Sequence, residues 1–155
     1  MKSMKTSAGI LLFKKENNGF HYFLVHPGGP FWKNKDMGAW SIPKGEILPG
    51  EDPLSRALIE FEEETGKAMT GDFIELTPIK QKGGKTVYAW AIEGDIETSD
   101  LCSNTLSLEW PPKSGKIIEI PEVDRWEWFV SEEAQSRINT AQAALIINLE
   151  EILKI

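Results

Sequence analysis

Cysteine and histidine are scarce in this 155-residue chain, and its 17 basic side chains are outnumbered by 24 acidic ones. Each of these features excludes a class of protein. The single cysteine, Cys102, leaves no internal disulfide framework, which indicates a reducing compartment and an inert loop thiol. The two histidines, His21 and His26, have no metal-ligand spacing around them, so we expect strand-end roles. A formal charge of −7 argues against general nucleic-acid binding, because that needs a basic surface.

Long hydrophobic runs are missing as well. The apolar run 8–13 is too short for the core of a signal peptide and is followed by Lys14 and Lys15. No stretch approaches the roughly 20 apolar residues that a membrane span needs. We therefore expect a cytoplasmic protein without a membrane partner. The length predicts one domain, residues 1–155, whose core needs neither disulfides nor a structural metal.

Strand patterns bounded by turn residues occupy much of the chain. The predicted strands are 6–15, 20–26, 73–81, 86–93, 117–120 and 125–130, with a short extended piece at 39–43. Turns are predicted at Asn17–Gly19 and at Lys82–Lys85, and residues 94–116 are predicted to be mostly irregular. A helical region capped by Ser131 is predicted to run to about Leu153, with a break at Asn139–Thr140. This order of elements predicts an α/β fold with helices covering a mixed sheet.

The clearest helix is predicted at 53–65. Asp52 suits its N-cap, Pro53 its first position and Gly66 its C-terminal stop. At 100° per residue, one side of this helix is apolar and is expected to be buried. That side carries Leu54, Ala57, Leu58, Phe61 and Thr65.

A second side of the same helix carries three acids, Glu60, Glu63 and Glu64, whereas Glu62 points elsewhere. Like charges at this spacing repel each other and destabilise a helix. Two interpretations remain: a solvated acidic face, or a site for a hard divalent cation, which prefers carboxylate oxygens. The turn-rich loop that precedes the helix, together with Glu51, favours the cation site.

The positions Gly45, Glu51, Glu60, Glu63, Glu64 and Gly66 together resemble the Nudix box, the signature of the Nudix hydrolases. The chain departs from the box at Ile59, where arginine is usual, and at Lys67, where an apolar residue is usual. Segments 26–32 and 38–46 are similar to a prokaryotic Nudix group of predicted NTP pyrophosphohydrolases. The resemblance implies a Nudix-like α/β/α sandwich, a mixed β-sheet flanked by helices, with the box as a loop–helix–loop.

The resemblance also implies roles for individual residues. Glu60, Glu63 and Glu64 take the metal-ligand positions, one of them doubling as general base, and the metal is Mg²⁺ with Mn²⁺ as a substitute. The backbone carbonyl of Lys44 is a further expected ligand, and Glu51 is expected to support the loop and the catalytic helix. Many members recruit an acid from outside the box. Here Glu122 is the first candidate and Glu119 the second, with a plain surface role as the alternative for each.

Substrate contacts are expected at Lys44, Gly45 and Arg56 and at two tryptophans, Trp32 and Trp40, which flank the approach loop. For each tryptophan the alternative is a core role, and for Lys44 a solvated one. Arg56 lies one turn before Glu60 on the metal-facing side, where we hypothesise that it replaces the missing box arginine. The alternative for Arg56 is an exposed ion pair worth about 0.3–0.5 kcal/mol.

The predicted function is Mg²⁺-dependent hydrolysis of the pyrophosphate bond of a nucleoside diphosphate linked to another moiety. Nucleoside triphosphates and dinucleoside polyphosphates are candidate substrates, so the expected partner is a small nucleotide. Because of Ile59, a non-catalytic Nudix-fold module that binds a nucleotide or regulates a partner is the main alternative. A purely structural acidic domain is a third. A monomer and a homodimer both remain open.

Overall fold

A long central strand organises the sheet of this protein, whose computed structural model describes residues 5–16 and 19–154. The strands are β1 (Thr6–Glu16), β2 (Gly19–Pro27), β3 (Lys44–Glu46), β4 (Ile74–Glu75), β5 (Ile79–Lys80), β6 (Thr86–Glu93), β7 (Thr105–Glu109), β8 (Ile117–Pro121) and β9 (Val123–Val130). The helices are α1 (Pro53–Thr65), α2 (Ser131–Arg137) and α3 (Ala143–Leu153), and a single 3-10 turn covers Thr140–Gln142. The predicted turn residues Asn17 and Asn18 lie outside the described part of the chain.

The main sheet is mixed. Its strand order is β4-β6-β1-β2-β9, with β3 paired to β1 and β5 paired to β6. Strand β1 runs parallel to β6, with Ile10 opposite Trp90, and antiparallel to both β2 and β3. Residues 7–13 of β1 are buried without interruption, because both faces of the sheet are covered there.

One helical layer packs on each face of the sheet. On the first face, Leu11 and Tyr22 share a core with Leu145 and Leu149 of α3. On the second face, Ile10 and Phe23 pack with Ala57 and Phe61 of α1. The predicted α/β/α sandwich is therefore confirmed.

The strand predicted at 73–81 is wrong as one element. The structure has only β4 and β5, both antiparallel to β6. Pro78 separates them because proline has no N–H to continue the ladder. The amide of Thr77 instead donates to the side chain of Asn148 on α3, at 2.8 Å.

The expectation that 94–116 is mostly irregular is also wrong at its C-terminal end. Strand β7 pairs with β8 in a separate two-stranded sheet, with Leu106 opposite Ile120. The Pro-rich residues from Trp110 form the turn of this hairpin, and the Glu109 carboxylate accepts bonds from the amides of Lys113 and Gly115. Strand β9 begins at Val123, two residues earlier than predicted, so Glu122 alone separates β8 from β9.

The C-terminal helical region is broken where predicted, because the side chain of Asn139 accepts from the amide of Ala141 at 3.0 Å and starts the 3-10 turn. Ser131 is not the cap that was predicted. It is the first helical residue, after Val130, and its hydroxyl donates to Glu150 of α3. Among the described residues, no helix has the length and apolar character needed to cross a membrane.

Candidate metal centre and active site

The first and last residues of α1 are fixed by its capping residues. The Asp52 carboxylate accepts from the amide of Ser55 at 3.0 Å, and Pro53 begins the helix. Gly66 ends it with φ of 81°, and its amide donates to the Glu62 carbonyl at 2.8 Å. Ala57, Phe61 and Thr65 are buried, and the helix packs against β1 and β3, so that Glu60 lies beside Gly45 of β3.

Three carboxylates converge at this place. Oxygens of Glu60, Glu64 and Glu122 all lie within 4.8 Å of one another. Glu60 and Glu64 are one turn apart on α1, and Glu122 is held by its backbone: its amide donates to the Asn104 carbonyl at 2.9 Å and its carbonyl accepts from Gly28 at 3.0 Å. The first-choice acid from outside the box therefore lies with the box acids.

Glu64 is the most buried member of this acid cluster, with 6% of the residue exposed. Its Oε2 is buried and has no hydrogen-bond partner among the described residues. An ionised carboxylate is costly to bury unless a cation or hydrogen bonds compensate it. Because hard divalent cations bind carboxylate oxygens, the donor set and the unpartnered oxygen fit such an ion.

The electrostatics of the cluster point the same way. Burial, with added repulsion from Glu63 and Glu122, raises the pKa of Glu60 to about 7. Burial likewise raises the pKa of Glu64 well above its ordinary value, and the charges of Glu60 and Glu122 add to the effect. The pKa of Glu122 is raised by burial and by Glu63. The protein thus holds acids that resist ionisation until a positive charge joins them.

Glu63 and Glu119 lie outside this cluster. Glu63 is half-buried and lines a cavity of about 400 Å³, together with Ile59 and Asn104. Its charge nevertheless reaches Glu60 and Glu122, since it raises the pKa of both. Glu119 is exposed on β8, opposite Ser107, and is not among the acids whose oxygens converge. The structure therefore favours the surface role for Glu119 over the ligand role, because its strand belongs to the separate hairpin.

Gly45 of β3 leaves space for the Glu60 carboxylate. A Cβ at this position would lie 2.0 Å from the carboxyl carbon of Glu60, so only glycine permits the approach. Glu51 precedes the helix, and its carboxylate accepts from the amide of Leu48 at 2.7 Å and pairs with Arg56. The hydrogen bonds from Arg56 lower the pKa of Glu51, with a smaller contribution from the Leu48 amide. Ile59 is 44% exposed on the flank of the helix, as its phase predicts.

A cavity of about 220 Å³ opens beside the acid cluster. Glu64 and Glu122 form part of its wall, and half-buried Lys44 lines it too. Burial lowers the pKa of Lys44 and nearby Lys85 lowers it further, while the charges of Glu64 and Glu60 act in the opposite direction. The cavity thus combines acids that suit a cation with an ammonium group that suits a phosphate.

A family model described as the NUDIX domain matches residues 4–149 of the chain. This protein belongs to the Nudix family. Among curated Nudix relatives, it is 36% identical over 106 residues to an RNA pyrophosphohydrolase of Rhizobium meliloti (strain 1021), covering 57% of each chain. It is 28% identical over 99 residues to the asymmetrical bis(5'-nucleosyl)-tetraphosphatase of Rattus norvegicus, covering 56% of this chain and 63% of that protein. The chain thus spans less than two thirds of the length of either relative.

Two solved structures share the Nudix fold. One is a C. elegans Ap4A hydrolase binary complex, with a TM-score of 0.67, 17% identity, and coverage of 96% of this chain and 98% of that one. The other is the NUDIX domain of Shewanella oneidensis NrtR complexed with ADP ribose, with a TM-score of 0.66, 16% identity, and coverage of 99% and 90%. At these identities the likeness concerns the fold. Members of the Nudix family generally use divalent metal ions, and the acid cluster is compatible with one.

The two tryptophans predicted to contact substrate differ in this Nudix chain. Trp32 is half-buried and lines the cavity. Trp40 is 0% exposed, its ring packs edge-on against His26 and Phe129, and its indole N–H donates to Asp36 at 2.7 Å. Trp40 also lines the cavity, but its ring is part of the core, so substrate contact at Trp40 stays a prediction. His26 is structural as expected, with ring nitrogens 2.7 Å from Asp124 and 2.6 Å from the Lys35 carbonyl.

Sequence reasoning missed a group of amides in the same cavity, at Gln81, Asn139 and Gln142. Gln142 is buried, accepts from the amide of Ile42 at 3.0 Å, and donates to the Gln81 side chain at 2.9 Å. These residues come from the β5–β6 turn and from the break between α2 and α3. No local pattern marks them, because only the folded chain brings the two segments together.

Proposed function

We propose that this protein is a Mg²⁺-dependent hydrolase that cleaves the pyrophosphate bond of a nucleoside diphosphate linked to another moiety. The observation that carries the proposal is the cluster of Glu60, Glu64 and Glu122, two of whose members line a cavity together with Lys44. Phosphoric anhydrides repel an attacking hydroxide, so their hydrolysis needs positive charge across the phosphates and a base beside the water.

The residues that would hold the metal are Glu60, Glu64 and Glu122, with Glu63 and the backbone carbonyl of Lys44 as further ligands. Bound Mg²⁺, or Mn²⁺ in its place, would neutralise phosphate charge and favour ionisation of a water. Among the chain's own groups, a cluster carboxylate is suited to take the proton of the attacking water.

Substrate binding is assigned to the cavity. We assign the ammonium of Lys44 to the phosphate chain, with the backbone of Gly45 next to it. The half-buried ring of Trp32 offers a face for stacking on a base. We assign Arg56 to the acids instead of the substrate, because its hydrogen bonds go to Glu51 and Glu60.

The names of the two curated relatives point to substrates with linked phosphates, an RNA 5′ end and a dinucleoside tetraphosphate. We propose a small nucleotide, either a nucleoside triphosphate or a dinucleoside polyphosphate, because a net charge of −7 opposes contact with an RNA backbone. We also propose that residues 1–155 form one Nudix domain. A single cysteine supports the cytoplasmic location expected from the composition. Both a monomer and a homodimer are compatible with this activity.

The second candidate is a non-catalytic Nudix module that binds a nucleotide, and Ile59 favours it. The acid cluster favours the hydrolase, because a module that only binds a nucleotide has no need for three buried or half-buried acids at close range.

The test is a screen of nucleoside triphosphates, dinucleoside polyphosphates, ADP-ribose, sugar nucleotides and capped nucleotides with Mg²⁺ or Mn²⁺. We expect phosphate-containing products from at least one class, lost in Glu64→Gln and retained in Glu62→Gln. Glu62 is an exposed acid on the same helix, so it controls for the change in charge. Tight nucleotide binding by calorimetry with no turnover would support the binding module instead.

A further inference from the structure

The flank of α1 where Nudix proteins usually carry an arginine has an apolar side chain in this protein. Ile59 is 44% exposed, and it has no polar atom to offer to any of the acids. A buried carboxylate needs hydrogen bonds to fix its orientation, and groups that orient metal ligands commonly supply them. If Glu60 is held in place for a metal, another residue must do this.

Arg56 is in contact with the acids on both sides of it. Its Nε donates to Oε1 of Glu51 at 2.9 Å, and its Nη2 donates to Oε2 of the same carboxylate. Its Nη1 donates to Oε1 of Glu60 at 3.3 Å. The Arg56 side chain is 14% exposed and that of Glu60 is 12%. The contact is therefore not the exposed ion pair that was the alternative interpretation of Arg56.

The paired contact with Glu51 gives Arg56 a defined orientation. A planar guanidinium that binds a carboxylate through two N–H groups cannot turn without losing both bonds. The Glu51 carboxylate is anchored in turn by the amide of Leu48 at 2.7 Å. The third donor of Arg56 is thereby directed at Glu60, one helical turn further on.

Backbone also approaches the Glu60 carboxylate closely. Gly45 lies so near that an added Cβ would be 2.0 Å from the carboxyl carbon. The carboxylate therefore accepts a hydrogen bond from the guanidinium of Arg56 and lies close against strand β3. We propose that Arg56 is a positioning residue, which takes the place of the missing box arginine from one turn earlier and sets the Glu60 carboxylate at the metal centre. This proposal rests on the proposed function for its metal.

The test measures Mn²⁺ affinity in addition to activity. Replacing a group that orients a metal ligand typically weakens metal binding 10- to 100-fold. We expect Arg56→Met to weaken Mn²⁺ binding by about 10-fold or more. The binding is measured by electron paramagnetic resonance. Arg56→Lys keeps the charge and loses the two-pronged contact, so we expect an intermediate loss.

The matched control is Lys14→Met. Lys14 also lies between two carboxylates, 3.1 Å from Glu16 and 3.1 Å from Asp95. It is five residues along β1 from Gly9, which pairs with Lys44, or about 16 Å at strand spacing. We expect Lys14→Met to bind Mn²⁺ like the wild type, whatever it does to the melting temperature.

A double-mutant cycle with Glu51→Gln separates positioning from a general loss of stability. If Arg56 acts through its contact with Glu51, the double variant binds Mn²⁺ no more weakly than the worse single variant. Fully additive losses would overturn the proposal. So would wild-type Mn²⁺ affinity in Arg56→Met or, should that variant fail to fold, in Arg56→Lys.

The outcomes also distinguish this proposal from the proposed function. Wild-type protein that binds Mn²⁺ but hydrolyses no nucleotide, with a loss of affinity in Arg56→Met, would refute the hydrolase and support the positioning role. Turnover that is unchanged in Arg56→Met, together with unchanged Mn²⁺ affinity, would support the hydrolase and refute the positioning role.

Discussion

Without metal, the Glu60→Gln variant should lose less stability than the wild type when the pH is raised from 5 to 8. Burial and two neighbouring carboxylates raise the pKa of Glu60 from 4.5 to about 7. Each pKa unit corresponds to about 1.4 kcal/mol, so the ionised form in the folded state costs about 3 kcal/mol. The Glu60 side chain is 12% exposed, so solvent screens little of this cost.

The sign follows from proton binding. Between pH 4.5 and 7 the folded protein keeps the Glu60 proton that the unfolded chain has lost, so folding is favoured at the acidic end. This stability is fully present below about pH 4.5 and is lost as the pH rises through 7. Glu64, whose pKa is also raised, acts in the same direction. Glutamine does not ionise, so the variant lacks the contribution of Glu60.

The assay is thermal unfolding in EDTA at pH 5 and at pH 8. For a domain of this size, a contribution of about 3 kcal/mol corresponds to roughly 6–12 °C in melting temperature. We expect the wild type to lose this much more than Glu60→Gln between the two pH values. The exposed Glu62→Gln variant removes the same formal charge and should follow the wild type.

Adding Mn²⁺ at pH 8 should reverse the order of stability. An ion at 1,000 times its Kd stabilises the folded state by about 4.1 kcal/mol, which exceeds the cost of about 3 kcal/mol for ionised Glu60, and the variant that lacks a ligand should gain much less. A wild type and a Glu60→Gln variant with the same pH dependence in EDTA would refute the reasoning. So would a variant that gains as much from Mn²⁺ as the wild type does.

Two further predictions concern residues that the folded chain brings to the site or keeps away from it. Glu122→Gln should weaken Mn²⁺ binding at least about 10-fold, by calorimetry, because Glu122 lies within 4.8 Å of Glu60 and Glu64. Glu119→Gln, on the separate hairpin, should bind like the wild type, and equal losses in the two variants would contradict this assignment. Trp32→Ala should raise KM for the nucleotide roughly 5- to 150-fold with little change in kcat, since stacking on one base contributes about 1–3 kcal/mol. Trp110→Ala, in the turn of the hairpin, serves as the control, and a loss confined to kcat in Trp32→Ala would argue against a stacking role.

The elements that sequence predicted well are local. The start and end of α1 depend on Asp52, Pro53 and Gly66, each of which acts on backbone within one turn. The acidic and apolar sides of the helix follow from its period alone, and the structure buries Ala57 and Phe61 accordingly. The match of the NUDIX domain to residues 4–149 agrees with the resemblance drawn from these same positions.

The elements that sequence predicted poorly depend on contacts between distant segments. No local pattern predicted that β7 and β8 form a sheet separate from the main one, because pairing partners are selected by the whole fold. The different surroundings of Trp32 and Trp40 arise in the same way, since burial depends on what packs over a side chain.

The sequence by itself determined a helix with three acids on one side, because caps and helical spacing act within a few residues. Only the tertiary structure brought Glu122 to Glu60 and Glu64 and formed the cavity beside them. It also decided that Arg56 contacts both Glu51 and Glu60 while Ile59 remains on the flank. The physical reason is that the distances and burial that tune these charges are set by packing across the sheet, which helical spacing alone does not specify.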